Sequence, residues 1–179
     1  MGADLTQAGD AEGAVAALEE ERARITAFLA AALRGWINHQ KLGGVLLHAP
    51  EPMQREGGRR EPDVVYLGPA TVQHWGVRFE HGPADLVVEV VGPGSQAGDR
   101  QEKLREYALE EVAECWWVDP ARRTAEVHTL AASGAYEPVP AGDPPRMRSV
   151  VLPGIWIDPA WLWAELPDEA KAFEAWGLA

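Results

Sequence analysis

A chain of 179 residues, 46% of them hydrophobic, is long enough to bury one substantial core. Its net charge of −12 weighs against tight binding of a polyanion through basic side chains, although a bound divalent cation would supply positive charge locally. A single cysteine, Cys115, excludes an internal disulfide framework and fits a reducing cytoplasm. No apolar stretch approaches the ~20 residues of a membrane span, and no basic-then-apolar leader opens the chain. A cytoplasmic protein without membrane partners is expected.

Residues 1–13 read as a flexible lead-in. Over residues 14–41 the spacing predicts a helix, because Leu18, Ile25, Leu29, Leu33 and Trp36 recur at helical steps between charged positions. Gly43 and Gly44 end it. Residues 45–48 form a short strand, 50–60 a polar turn or flap, 62–67 a second strand, and 68–82 a loop with one helical turn. The β-formers of 85–91, bounded by Gly82-Pro83 and Gly92-Pro93-Gly94, read as a buried strand. A second helix is expected over 99–112, capped by Asp99 and striped by Leu104, Tyr107 and Ala108. Residues 114–118 and 124–130 make a hairpin through Asp119-Pro120. A Gly/Pro-rich stretch over 133–147 leads to a last short strand at 150–152, and from Pro159 the chain turns helical. The order of elements predicts an α/β fold, a mixed sheet flanked by helices.

Chemistry concentrates on the strand at 85–91. Alternation puts Asp85, Val87 and Glu89 on one face. Two carboxylates on an interior strand are costly unless a cation or a lysine neutralises them. That pattern suits a metal-dependent phosphodiesterase site. The bland alternative for Glu89 is a buried ion pair with an arginine. Lys103, on the following helix, stands out because the chain has thirteen arginines and only three lysines. A lysine kept here suggests that a compact, tunable ammonium is wanted. Its alternative is a surface pair with Asp99 one turn back.

The segments PDVV (62–65), ADLVVEVVGPGS (84–95), DRQEKLREY (99–107), ECWWVDP (114–120) and LPGI (152–155) together resemble the PD-(D/E)XK nuclease superfamily. Within it they are similar to the Uma-two family of restriction-endonuclease-like proteins, over roughly residues 22–165. The resemblance implies a restriction-endonuclease-like sheet and a Mg²⁺- or Mn²⁺-dependent endonuclease acting on nucleic acid, DNA first. Its metal ligands would fall on Asp63 and Glu89, with Asp85 a further carboxylate. The family's lysine, moved from the position held here by Val91 to the next helix, would be Lys103. This chain has Gly92 and Gly94 where the family often carries serines. A charged helical lead-in replaces the family's opening hairpin. Residues 14–165 would form the nuclease-like domain and 166–179 a helical tail.

Other residues read more plainly. Tyr107 is expected to pack in the core with its hydroxyl bonded, and Glu21 to face solvent rather than the site. His128 reads as surface, and the five histidines lack zinc-ligand spacing. Arg59 and Arg60 could touch a phosphate backbone or merely balance charge. Trp116, Trp117, Trp156, Trp161 and Trp163 exceed what a small core needs, which suggests a homodimer interface. The competing functional reading is a catalytically inactive dimeric interaction module that keeps the nuclease fold.

Overall fold

A computed structural model describes residues 4–48, 53–55, 58–75, 83–95 and 98–178. The chain opens with α1 (Asp4–His39), then β1 (Val45–His48), β2 (Met53–Arg55), β3 (Gly58–Arg60), β4 (Val64–Leu67), α2 (Pro69–Trp75) and β5 (Leu86–Val90). It continues with α3 (Asp99–Leu109), β6 (Glu114–Asp119), β7 (Thr124–Leu130) and β8 (Tyr136–Pro138). β9 (Met147–Arg148), β10 (Trp156–Ile157), α4 (Pro159–Leu162) and α5 (Glu169–Ala175) complete it. Six strands form one sheet in the order β1-β4-β5-β6-β7-β8. Only β5 and β6 run parallel; the other neighbours are antiparallel. The mixed sheet flanked by helices is the architecture the sequence predicts.

Alternation along the central strands splits the core in two. Val64, Tyr66, Leu86, Val88, Val90, Trp116, Val118 and Val127 pack with the apolar stripe of α1, from Ile25 through Leu29 and Leu33 to Trp36. On the opposite face Val65, Leu67, Val87 and Cys115 pack with Tyr107 of α3 and with Val112. Each fully buried leucine or isoleucine contributes about 1.5–3 kcal/mol relative to exposure. α1 is stopped by a left-handed turn at Lys41 and by Gly43 and Gly44. A Cβ on Gly44 would sit 2.3 Å from the Leu67 carbonyl oxygen, so the turn onto β1 requires glycine.

Several expectations are corrected. α1 begins at Asp4, so residues 4–13 of the expected lead-in are helical; alanines at 8, 11, 14, 16 and 17 favour that conformation. The expected flap at 50–60 contains the β2–β3 hairpin. Asp99 does not cap α3, whose cap position is Gly98 in a left-handed conformation with no side-chain bond. His128 is buried rather than superficial, because β8 covers β7 and pairs His128 with Pro138. Trp116 and Trp117 are buried, and Trp161 and Trp163 pack against the α1-side core.

No strand forms at 150–152. Glu114, fully buried at the start of β6, claims that segment instead. Its carboxyl oxygens accept from the Trp116 indole N–H (2.7 Å), the Ser149 hydroxyl (2.6 Å) and the backbone N–H groups of Val150 (2.6 Å) and Val151 (3.1 Å). The turn so anchored separates β9 from β10, which pair with each other. Removing the acceptor leaves several buried donors unsatisfied. Glu114→Ala should therefore cost about 3 kcal/mol or more, read as a lower urea midpoint with an unchanged slope.

Candidate active site

β4 and β5 pair with Val64 opposite Val88 and Val65 opposite Val87. Asp63, just before β4, donates its backbone N–H to the Val88 carbonyl oxygen at 2.9 Å and takes the Val90 N–H on its carboxyl, which sets it beside Glu89. Both are buried, at 8% and 3% exposure, so two carboxyl groups lie side by side at the end of the sheet.

Each carboxyl has a cation and a second donor. The Asp63 Oδ1 accepts from the Arg22 Nη2 at 2.8 Å, and its Oδ2 accepts from the Val90 N–H at 2.7 Å. Arg22 also donates from Nε to the Val90 carbonyl oxygen at 3.0 Å. The Glu89 Oε2 accepts from the Lys103 Nζ at 2.6 Å, and its Oε1 accepts from the Tyr107 hydroxyl. Lys103 and Tyr107 stand four apart on α3, so both reach the sheet from one helix face. Asp63, Glu89, Arg22 and Lys103 form a compact cluster of balanced charge.

Burial pushes the Asp63 carboxyl above its usual range, against the Val90 N–H, Arg22 and Lys103, which favour ionisation. Burial likewise raises Glu89, opposed by Lys103 and the Tyr107 hydrogen bond and reinforced by the charge of Asp63. The Tyr107 phenol is driven well up by burial and then by Glu89, so it stays protonated and donates. Cys115 is buried, and burial pushes its thiol far up, which removes it as a nucleophile.

Three members of the cluster, Arg22, Glu89 and Lys103, open on a cleft of about 250 Å³ walled also by Trp117 and the 90–95 segment; Asp63 does not line it. A second cleft of about 360 Å³ adjoins it, sharing Val91, Ser95, Asp99 and Trp117 and adding Arg100 and Arg122. The guanidinium of Arg100 lies 5.5 Å from the Trp117 ring centroid and is paired with Glu126.

Residues 9–160 match the Uma2 family, described as "Putative restriction endonuclease". The chain belongs to the Uma2 family. A crystal structure of a "putative nuclease belonging to DUF820" from Anabaena variabilis ATCC 29413 superposes with a TM-score of 0.61. It is 10% identical, with 80% of each chain covered, a likeness of fold. No curated protein matches the sequence.

In this Uma2 chain the structure brings together Asp63, Glu89 and Lys103 of the residues singled out in the sequence. Asp85 is not among them. It shares a face with Glu89 but lies four residues, about 13 Å, back along the strand. There its Oδ2 accepts from the Gly68 N–H at 2.6 Å. Glu21 points elsewhere, 4.0 Å from Arg123. Arg59 and Arg60 lie in β3, whose side chains fall outside the described residues. Sequence reasoning missed Arg22, a charged residue on a helix read as solvent-facing, and gave Tyr107 a packing role without its bond to Glu89. The signal for Tyr107 was its spacing of four from Lys103.

Because folding raises both carboxyl pKa values, the folded chain holds these protons more tightly than the unfolded chain. Their stabilising contribution is present below the ordinary carboxylate range and is lost as pH rises through the raised values. In chelator, the double variant Asp63→Asn/Glu89→Gln should therefore lose less stability than wild type between about pH 4 and pH 7. Urea midpoints across that range would read the difference. Identical profiles would mean that the two groups titrate normally.

Proposed function

We propose that this chain is a divalent-metal-dependent endonuclease, hydrolysing phosphodiester bonds of nucleic acid at the Asp63–Glu89 cluster. The observation that carries the reading is the placement of two buried carboxyl groups as neighbours beside an open cleft, one of which, Glu89, lines the cleft and carries an ammonium. The donor set suits Mg²⁺ or Mn²⁺. Among the described residues no group of three His, Cys, Asp or Glu side chains converges, but Mg²⁺ is commonly bound through one or two carboxylates, with water and substrate phosphate completing the shell. Asp63 and Glu89 would hold the cation, with the Val90 carbonyl beside them.

A divalent cation supplies Lewis-acid polarisation of a phosphoryl oxygen and activation of water. The protein's own groups do the rest. Tyr107 fixes the rotamer of Glu89 by donating to Oε1, leaving Oε2 to Lys103. Lys103, about one-third exposed towards the cleft, can turn an N–H towards the attacking water or towards the charge that builds on the phosphoryl group. Arg100 and Arg122 stand at the adjoining cleft, paired with Glu126 and Asp119, and are the basic groups there that a flanking phosphate would draw on.

Cleavage of circular single-stranded and supercoiled duplex DNA in Mn²⁺ tests the reading. Wild type should cut, and Glu89→Gln should be slower by at least about a hundredfold while keeping its circular dichroism. Equal cutting by both would place the chemistry elsewhere. Lys103→Met should lose a similar factor, about a hundredfold, without losing metal binding.

The second reading, an inactive interaction module, is favoured by one feature: every oxygen of the two carboxyl groups already accepts from a protein donor. An unchanged melting temperature on adding millimolar Mn²⁺, together with no cleavage, would select it.

A further inference from the structure

We infer that Arg22 is the resident cation of this site, an internal counter-ion that withdraws when a divalent metal enters. The inference rests on the metal-dependent reading above and concerns how that site is loaded. Its basis is where the guanidinium sits. Arg22 donates at once to the Asp63 Oδ1 at 2.8 Å and to the Val90 carbonyl oxygen at 3.0 Å. A carboxylate oxygen and a backbone carbonyl converging on one positive group are the ligand types that a hard divalent cation takes. The arginine therefore holds oxygens that a metal at Asp63 would need.

Charge arithmetic gives the same answer. Asp63 and Glu89 contribute −2 and Arg22 with Lys103 contributes +2, so the cluster is neutral as it stands. A divalent cation added with both basic groups in place would leave +2 between mostly buried side chains. Like charges a few ångströms apart in a medium poorly screened by water repel strongly. Departure of one cation relieves much of that. Lys103 is held by Glu89, but Arg22 is the group lying on Asp63 and has somewhere to go. Its side chain is about one-third exposed, and Nη1 already lies 3.5 Å from the Oε2 of Glu19, which is half exposed on the same helix. Both residues border Gly92, where no side chain obstructs the path. Glu19 is the acceptor for the released guanidinium.

Binding of Mn²⁺ to the full chain, by calorimetry or by the electron paramagnetic resonance of free Mn²⁺, reads the exchange without any cleavage assay. Arg22→Met keeps the stem and removes the charge, so it should bind Mn²⁺ roughly tenfold or more tightly than wild type. Glu19→Gln should weaken binding in the wild-type background and leave it unchanged in Arg22→Met. If Arg22→Met does not fold, Arg22→Lys substitutes for it, since one ammonium cannot reproduce the fork across two oxygens; it too should bind more tightly. Equal or weaker binding in the Arg22 variants, or an equal Glu19→Gln effect in both backgrounds, would overturn the inference. The two readings fail separately. Wild-type binding that is lost in Glu89→Gln but untouched by Arg22 substitution sinks the counter-ion alone; no Mn²⁺ binding by wild type or any variant sinks the metal site with it.

Discussion

Two carboxyl groups side by side at the end of the sheet, both nearly out of solvent, are the constraint around which this molecule is arranged. Leaving them unpaired would cost several kcal/mol each in desolvation. The fold answers with one basic residue from each side of the sheet. Arg22 arrives from the long helix on one face and Lys103 from the helix on the other, so the cluster ties three layers together at one point, beside their apolar packing. Repulsion between the acids and the shape of the cleft both follow from that meeting point.

The same arrangement sets the local charge at the clefts apart from the acidity of the chain as a whole. The net charge of −12 is spread over the whole sequence, whereas the walls of the two joined clefts carry four basic side chains, Arg22, Lys103, Arg100 and Arg122, against Glu89, Asp99 and Asp119. Local fields fall off within about 10 Å at ordinary ionic strength. The field at the sheet edge is therefore set by these few side chains.

Much of the fold was legible because the apolar periodicities are strong. The α1 stripe, the valine-rich strand around Glu89 and the helix bearing Lys103 all read directly from spacing. The failures have physical causes. Alternation tells which face a strand residue takes but not how far along it lies, and Asp85 was drawn into the site for that reason. An arginine on the charged side of a helix has no local mark of burial, because its partner Asp63 is 41 residues away and the contact exists only once the helix is laid on the sheet. The segment at 150–152 has strand-forming side chains, yet Glu114, distant in sequence, takes its N–H groups. His128 looked superficial because the short strand that shields it, β8, ends in proline and carries little propensity of its own. In each case a long-range partner overrode a local preference.

The parallel pairing of β5 with β6 has a consequence for how such a site can change. Parallel neighbours cannot be joined by a tight turn, so the chain must leave the sheet, travel back along its face and re-enter. The return journey here is α3, and it is this obligatory connector that brings the ammonium and the phenol to Glu89. The carboxyl groups belong to the sheet, and their basic partner belongs to the link that the sheet's own topology demands. Lengthening or shortening the 91–98 segment would slide that link along the face and re-aim Lys103 without altering a single strand pairing. Divergence among proteins built on this plan has a mechanical route that leaves the acidic pair in place.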